Sequence, residues 1–384
     1  MDNLTEISVD PVLKAQKDQS PKWKELLSRW GLPVLFIGIA IYLPFPLLKQ
    51  GQYHMMHILP LIGIYIILAL GLNLIMGYTG ILHLGYTAFY GIGAYAAALL
   101  AIHLQMSFWL ILPLAGIITF IAGVLLGMPT LRLRGDYIAI VTLGFVEIVR
   151  LVLNNLDSIT NGPKGLPGVD QPKILNPSIS FGSFHFPLND DIDYYFLILA
   201  LVLLTIFIMH RLHNSRIGRA WVSIREDEIA SELMGVNTTM MKIYAFGVGS
   251  FFAGVAGCIY VHWIGFITPE LFTFWEAVLI VCMVVLGGMG NINGVILGTI
   301  LIVGIPEVLR DVLQSISNNL ADSPSASAWQ KWIENINLGR MLLFGGIMVI
   351  MVIFRSQGII PAKRPKVSLR RSKPSVDTTA KEGP

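Results

Sequence analysis

Glu147 and Arg150 stand three residues apart in an otherwise apolar stretch, 137–156, and they are the first place where this chain could do chemistry. Side chains at that spacing on a helix share a face, so the two can neutralise each other as a structural ion pair. An ionised side chain in the middle of a membrane helix costs at least roughly 2.5–3.5 kcal/mol, so Glu147 must face protein or water. The alternative to the ion pair is that its carboxylate lines a pathway and meets an ammonium group there. His83, just inside another apolar stretch, reads either as a gate residue on the same pathway or as a helix-end histidine satisfied by backbone or headgroups. His262 and Glu276 fall near the ends of apolar stretches, and Glu307 and Arg310 share a helix face, all of them readable as interfacial or paired groups.

No constellation for covalent catalysis accompanies these residues. The chain has no G-x-x-x-x-G-K-[ST] phosphate loop, so nucleotide chemistry must come from another chain. It has no H-E-x-x-H, no G-x-S-x-G and no other spacing that sets a nucleophile beside a base, so no catalytic residue is assigned. Its two cysteines, Cys258 and Cys282, lie inside apolar runs without C-x-x-C or Cys/His spacing, so no metal site is expected.

The elements that must position these residues are membrane helices. Apolar residues make up 54% of the 384, charged residues only 13%, and the mean hydropathy is +0.67. A soluble domain would carry about 25% charge, so the solvent is lipid. Apolar stretches near 32–48, 58–76, 80–102, 108–130, 137–156, 194–210, 243–265, 275–290, 294–310 and 339–356 have the length of helical spans and are continuously apolar, unlike barrel strands. The reading is an all-α polytopic membrane protein of about ten spans. The 275–290 and 294–310 pair is the least secure and could be a re-entrant hairpin.

Three regions follow: a polar leader 1–31, a transmembrane domain 32–356 with an outer loop 157–193 and an inner loop 211–242, and a basic tail 357–384 suited to anionic headgroups. No cleaved signal peptide is expected in the leader. With the leader placed in the cytoplasm, the inner segments hold Lys and Arg over the outer loops by roughly five to one, which favours both termini inside. The outer loop is rich in Pro, Gly, Asn and Asp and predicts turns and a small cap. Met76-Gly77-Tyr78-Thr79-Gly80 and Met289-Gly290-Asn291-Ile292-Asn293-Gly294 echo each other at two inner turns, either as an internal repeat or because tight turns want glycine.

The inner loop predicts a helix over 224–234. Ser223 and Glu226 have capping-box spacing, Glu226, Asp227 and Glu228 fill a first turn, and Gly235 stands where a C-terminal cap belongs. Ile229, Ala230, Leu233 and Met234 fall on one side, with Arg225, Glu228 and Glu232 on the other. Such a helix can seat in a groove of a cytoplasmic ATPase, or it can merely cover its own loop. Within the spans, Gly91, Ala94 and Ala98, and Ser250, Gly254 and Gly257, place small residues at helix-packing spacing, for static contact or for sliding.

Several stretches together resemble the LivM-type permease subunits of branched-chain amino-acid ABC importers. They are Gly218-Arg219-Ala220-Trp221, Arg225-Glu226-Asp227-Glu228-Ile229-Ala230, Gly235-Val236-Asn237, Gly71-Leu72-Asn73-Leu74, Gly77-Tyr78-Thr79-Gly80, Leu84-Gly85-Tyr86, Leu131-Arg132-Leu133-Arg134-Gly135-Asp136-Tyr137, Thr142-Leu143-Gly144-Phe145 and Val285-Leu286-Gly287-Gly288-Met289-Gly290. The resemblance covers roughly residues 58–312. Ile229-Ala230-Ser231-x-x-x-Gly235 is similar to the broader importer signature Glu-Ala-Ala-x-x-x-Gly, with Ile and Ser in place of the first Glu and the second Ala.

The resemblance implies a bacterial inner-membrane machine working by alternating access on leucine, isoleucine, valine or related amino acids. This subunit would pair with a homologous second permease, two ATP-binding subunits carrying ATP and magnesium, and a periplasmic or extracytoplasmic binding protein. Arg219, Arg225, Glu226, Asp227, Glu228, Ile229, Ala230, Glu232 and Gly235 would couple it to the ATPases. No cofactor in this chain and no nucleic-acid partner are expected. A urea, amide or neutral amino-acid importer subunit remains a related alternative. The rival from another class is an ion-coupled secondary transporter, which would want several paired charges at the bilayer midplane.

Overall fold

The computed structural model describes residues 53–133, 137–168, 191–306, 346 and 358–360. The described helices are α1 (Tyr53–Asn73), α2 (Tyr86–Leu104), α3 (Phe108–Thr130), α4 (Tyr137–Asn155), α5 (Asp157–Thr160), α6 (Asp191–His213), α7 (Arg216–Glu226), α8 (Glu228–Leu233), α9 (Thr238–Ile264), α10 (Phe274–Gly287) and α11 (Ile292–Thr299). Wider π turns prolong α1 over Leu74–Tyr78 and α11 over Ile300–Gly304.

Among the described residues seven helices are long and apolar enough to cross a membrane: His57–Tyr78, Tyr86–Leu104, Phe108–Thr130, Tyr137–Asn155, Tyr194–His213, Thr238–Ile264 and Pro269–Gly287. The protein is therefore an all-α multi-pass membrane protein. The stretch read as 294–310 is a shorter apolar helix, Ile292–Pro306, as far as it is described. The leader 1–31, the stretches 32–48 and 339–356 apart from residue 346, Glu307, Arg310 and the tail apart from 358–360 lie outside the described residues.

Burial separates the centre of the bundle from its surface. The α1 and α9 spans are 78% and 72% buried, whereas α3, α4 and α6 are only 33%, 28% and 28% buried and turn Ile121, Leu125, Ile140, Val152, Leu204 and Phe207 outward. Apolar side chains on such a surface suit lipid or an apolar partner, since no water need be excluded from them. The central α9 opens on Asn237, whose side-chain oxygen accepts from the Met240 amide at 3.0 Å, and closes on Gly265, whose positive φ of 72° an L side chain would strain.

The small residues singled out in the sequence lie where α2, α3 and α9 cross. Gly254 lies against Gly93 and against Thr119, and Ser250 lies against Gly123. Ala94 and Ala98 are fully buried. A Cβ on Gly257 would stand 2.5 Å from the Tyr90 carbonyl oxygen and 2.7 Å from the Ala94 nitrogen, so backbone meets backbone there. Gly91 seats the Phe272 ring, which a Cβ would meet at 3.0 Å. Close approach of this kind is how helices gain packing energy where lipid offers no hydrophobic drive.

Two local features go beyond the sequence reading, and the second amends it. Leu166–Pro167 pairs antiparallel with Phe266–Ile267, a two-residue sheet made possible by turns at Gly165, Gly168 and Gly265, all at positive φ. The outer loop 157–193 is described over 157–168 and over 191–193, where α6 already begins, and the first part is turn-rich as expected: Asn161 adopts a left-handed conformation and its side-chain amide donates to the Gly165 carbonyl at 2.8 Å.

The amendment concerns the inner loop, which holds two helices rather than one over 224–234. α7 begins eight residues earlier, because Ser215 caps it by accepting from the Gly218 amide at 3.1 Å and because Trp221 and Ile224 are buried beneath it. The Trp221 indole donates to the Met241 carbonyl at 2.7 Å and ties α7 to the start of α9. Ser223 is thus mid-helix, with its hydroxyl donating to the Ala220 carbonyl at 2.9 Å, and no capping box forms with Glu226. The chain breaks at Asp227, extended at φ −157°, whose carboxylate accepts from the Ala230 amide at 2.9 Å and starts α8. Gly235, at φ +86°, ends it as expected.

Candidate functional site

One end of the bundle gathers three connections: the end of α1 with its π turn, the α6–α9 loop carrying α7 and α8, and the α10–α11 turn. Arg225, in the last turn of α7, donates to the Gly77 carbonyl at the end of the α1 span, and its guanidinium reaches the Met289 carbonyl in the α10–α11 turn at 3.5 Å. Asn73, buried at the end of α1, accepts from the Gly290 amide at 2.8 Å. The two echoing sequences are therefore in contact. Gly77 is required there, since a Cβ would stand 2.5 Å from the Gly290 nitrogen. Gly288 and Gly290 take positive φ of 114° and 88°, which glycine alone adopts without strain.

The helix that follows is displayed rather than packed. Ile229, Leu233 and Met234 are 73%, 82% and 84% exposed, while Ser231 on the other side is buried and donates to the Asp227 carbonyl at 2.8 Å. The apolar side of α8 thus points away from the loop, against the reading in which it merely covers that loop. Glu228 pairs with Lys242 at 2.5 Å, fixing α8 to the second turn of α9. Arg219 donates to the Asn214 carbonyl at 3.0 Å. Glu226, Ala230 and Glu232 are exposed. A cleft of about 850 Å³ opens between the end of α6 and this loop, lined in part by His213, Arg219, Ser223, Asp227, Ala230 and Met234.

Glu147 and His83, taken in the sequence as pathway candidates, lie in different surroundings and are not brought together. Arg150 pairs with Glu147 at 2.5 Å and with Glu270 at 3.2 Å, so the ion pair forms and extends across to the turn before α10. Glu147 is about half exposed, with 46% of its side chain accessible. His83 is fully buried among the rings of Tyr86, Phe89 and Phe246. Its Nδ1 accepts from the Gly85 amide at 2.9 Å, which assigns the proton of the neutral ring to Nε2, an atom without a hydrogen-bond partner. Burial drives its pKa down to about 3, so it stays neutral.

Sequence reasoning placed Glu276 near a span end but not its partner, the Tyr65 hydroxyl, which donates to its carboxylate from a helix 211 residues away. It likewise missed Asn73 as the acceptor that holds the α10–α11 turn. His262 is buried, with Nδ1 2.7 Å from the Cys258 carbonyl, and is satisfied by the backbone of its own helix.

Seven membrane-length helices among the described residues, with a capped helical loop displayed at one end, define a multi-pass membrane protein. Residues 54–352 match the family described as branched-chain amino acid transport system / permease component, and the chain belongs to that family. It is 41% identical over 346 residues to the high-affinity branched-chain amino acid transport system permease protein LivM of Salmonella typhimurium, covering 86% of this chain and 75% of that one. It is 40% identical to the LivM protein of Escherichia coli, covering 88% and 76%. It is also 27% identical over 262 residues to the high-affinity branched-chain amino acid transport system permease protein LivH of Salmonella typhimurium, covering 65% of this chain and 83% of LivH. No solved structure matches the chain.

Proposed function

We propose that this chain is the membrane-embedded half of an ATP-driven importer that moves branched-chain amino acids by alternating access. The observation that carries the reading is the displayed apolar side of α8, Ile229, Leu233 and Met234, on a loop that grips the ends of α1 and α10 through Arg225. A ridge of large apolar side chains outside the bilayer region asks for a protein partner, and a short helix laid into a groove is an established mode of docking. The partner is an ATP-binding subunit, and closure of its dimer would push α8 and α7 as a lever on the ends of the spans.

The likeness to both LivM and LivH supports a homologous second permease that completes the pore. A binding protein at the opposite face would deliver the substrate, ATP and magnesium would be bound by the two ATP-binding subunits, and the α7–α8 end would be cytoplasmic in a bacterial inner membrane with both termini inside. The test is purification of the tagged chain from native membranes in mild detergent, with its companions identified by mass spectrometry. A second permease and two ATP-binding chains are expected; recovery of the chain alone, competent for transport after reconstitution, contradicts the reading.

A further inference from the structure

The end of the bundle opposite α7 and α8 holds a carboxylate that the ion pairs do not use. Glu276 is the third residue of α10, and Thr273 precedes the helix, so the sequence has the Thr-x-x-Glu spacing in which a glutamate returns to its own helix start. The structure does not use it that way: the Thr273 side chain makes no cap, and the Glu276 carboxylate turns inward to the Tyr65 hydroxyl of α1. Among the described residues no cation pairs with it, in contrast to Glu147 and Glu270, which share Arg150.

Tyrosines are its electrostatic neighbours instead. Tyr90 and Tyr260 lie within electrostatic reach of Glu276, and their ring centroids are 5.8 Å apart. Phe272 stacks edge-on to Tyr90 at 5.1 Å. A carboxylate with tyrosines near it can receive a cation, since the charge attracts it directly and a ring face adds to the attraction where the cation lies over it. An ionisable side chain inside a membrane bundle without a protein counter-charge marks a functional site.

We infer that Glu276, with Tyr65, Tyr90 and Tyr260, receives a primary ammonium group, that of the amino acid entering from the face opposite α8. The assignment rests on the importer function proposed above. The Tyr65 hydroxyl holds the carboxylate in place while the site is empty, and the ammonium takes up the charge-assisted hydrogen bonds on arrival.

The test uses the complete importer reconstituted in phosphatidylcholine vesicles, whose headgroup lacks a primary ammonium and so cannot imitate the substrate. Labelled leucine uptake is measured for wild type and Glu276→Gln. The amide keeps the shape and removes the charge, and uptake is expected to fall by roughly tenfold or more, as on truncating a buried charged contact, while ATP hydrolysis persists. A second variant, Glu276→Cys with Cys258→Ala and Cys282→Ala, is reacted with a small cationic methanethiosulfonate; leucine delivered by the binding protein should slow the labelling. Uptake by Glu276→Gln within about twofold of wild type overturns the site, that being less than one charged contact is worth. Where that variant does not assemble, labelling of the cysteine at one rate with and without leucine overturns it. A wild-type importer that moves no branched-chain amino acid overturns the functional reading itself, a result distinct from both.

Discussion

The guanidinium of Arg225 donates to the carbonyl of Gly77, a bond that joins the last turn of α7 to the end of the α1 span across 148 residues of chain. The same side chain reaches Met289, so Arg225 bonds to the ends of two membrane helices, α1 and α10. α7 is itself anchored to α9 by the Trp221 indole, so the loop is bonded both to the end of the buried α1 and to the central α9. A stiff connection of this kind is what a docked subunit needs if its own closure is to rearrange the spans.

Replacement of Arg225 by Ala should leave insertion and helix content intact and lower ATP-driven uptake by roughly tenfold, since a hydrogen bond from a charged group contributes about 1.5–3 kcal/mol. Both carbonyls are met by one nitrogen, Nη1, so the ammonium of Arg225→Lys, on a stem one atom shorter, should recover part of the loss. Uptake per ATP hydrolysed, measured in vesicles, checks this; an unchanged ratio in Arg225→Ala would remove the transmission role.

Leu233→Asp places a charge on the most exposed part of α8 without touching the bundle. Fold stability should change by no more than about 0.5 kcal/mol, as at other exposed positions. Co-purification of the ATP-binding subunit should be lost. Retention of that subunit at the wild-type ratio would mean that the ridge is not its seat.

Glycine positions in the spans should divide by what surrounds them. Gly257→Ala forces a Cβ against the Tyr90 carbonyl and the Ala94 nitrogen and should destabilise the protein by about 1–3 kcal/mol, as overpacking does. Gly144→Ala, with no atom within 4 Å of the new Cβ, should be neutral or stabilising by up to about 1 kcal/mol through helix propensity. Thermal unfolding of the two variants in detergent makes the comparison.

His83 gives a pH dependence with a definite sign. Its pKa falls from 6.5 to about 3 because burial penalises the charged ring. The unfolded chain therefore binds a proton between those values that the folded chain does not, and stability rises with pH across that window. Its contribution is complete above about pH 6.5 and is lost as the pH falls toward 3. His83→Gln, which keeps an acceptor for the Gly85 amide, should lose less stability between pH 7 and pH 4 than wild type in thermal unfolding. Equal acid sensitivity would show that other groups dominate.

The sequence made the spans legible because their signal is local. Apolar stretches read at 80–102, 108–130 and 137–156 became helices at Tyr86–Leu104, Phe108–Thr130 and Tyr137–Asn155. The small residues of α2 and α9 were readable as a packing surface, and Glu147 found Arg150, because helical spacing alone brings such groups together. The division of the inner helix at Asp227 was not legible: the Ser223–Glu226 spacing imitates a cap, and only the burial of Trp221 and Ile224 shows that α7 already runs through it. The contacts of Arg225 with Gly77, Asn73 with Gly290 and Tyr65 with Glu276 join residues that share no periodicity, so no local pattern could announce them.

On the function proposed above, this chain transports only as part of an ATP-driven assembly. The most direct test is accumulation of labelled leucine by vesicles that contain the purified complex, with binding protein added at the face opposite α8 and ATP at the α8 face. Accumulation that requires both additions and disappears in Leu233→Asp is the expected result. Accumulation by this chain alone, driven by an imposed ion gradient and indifferent to ATP, would contradict the account.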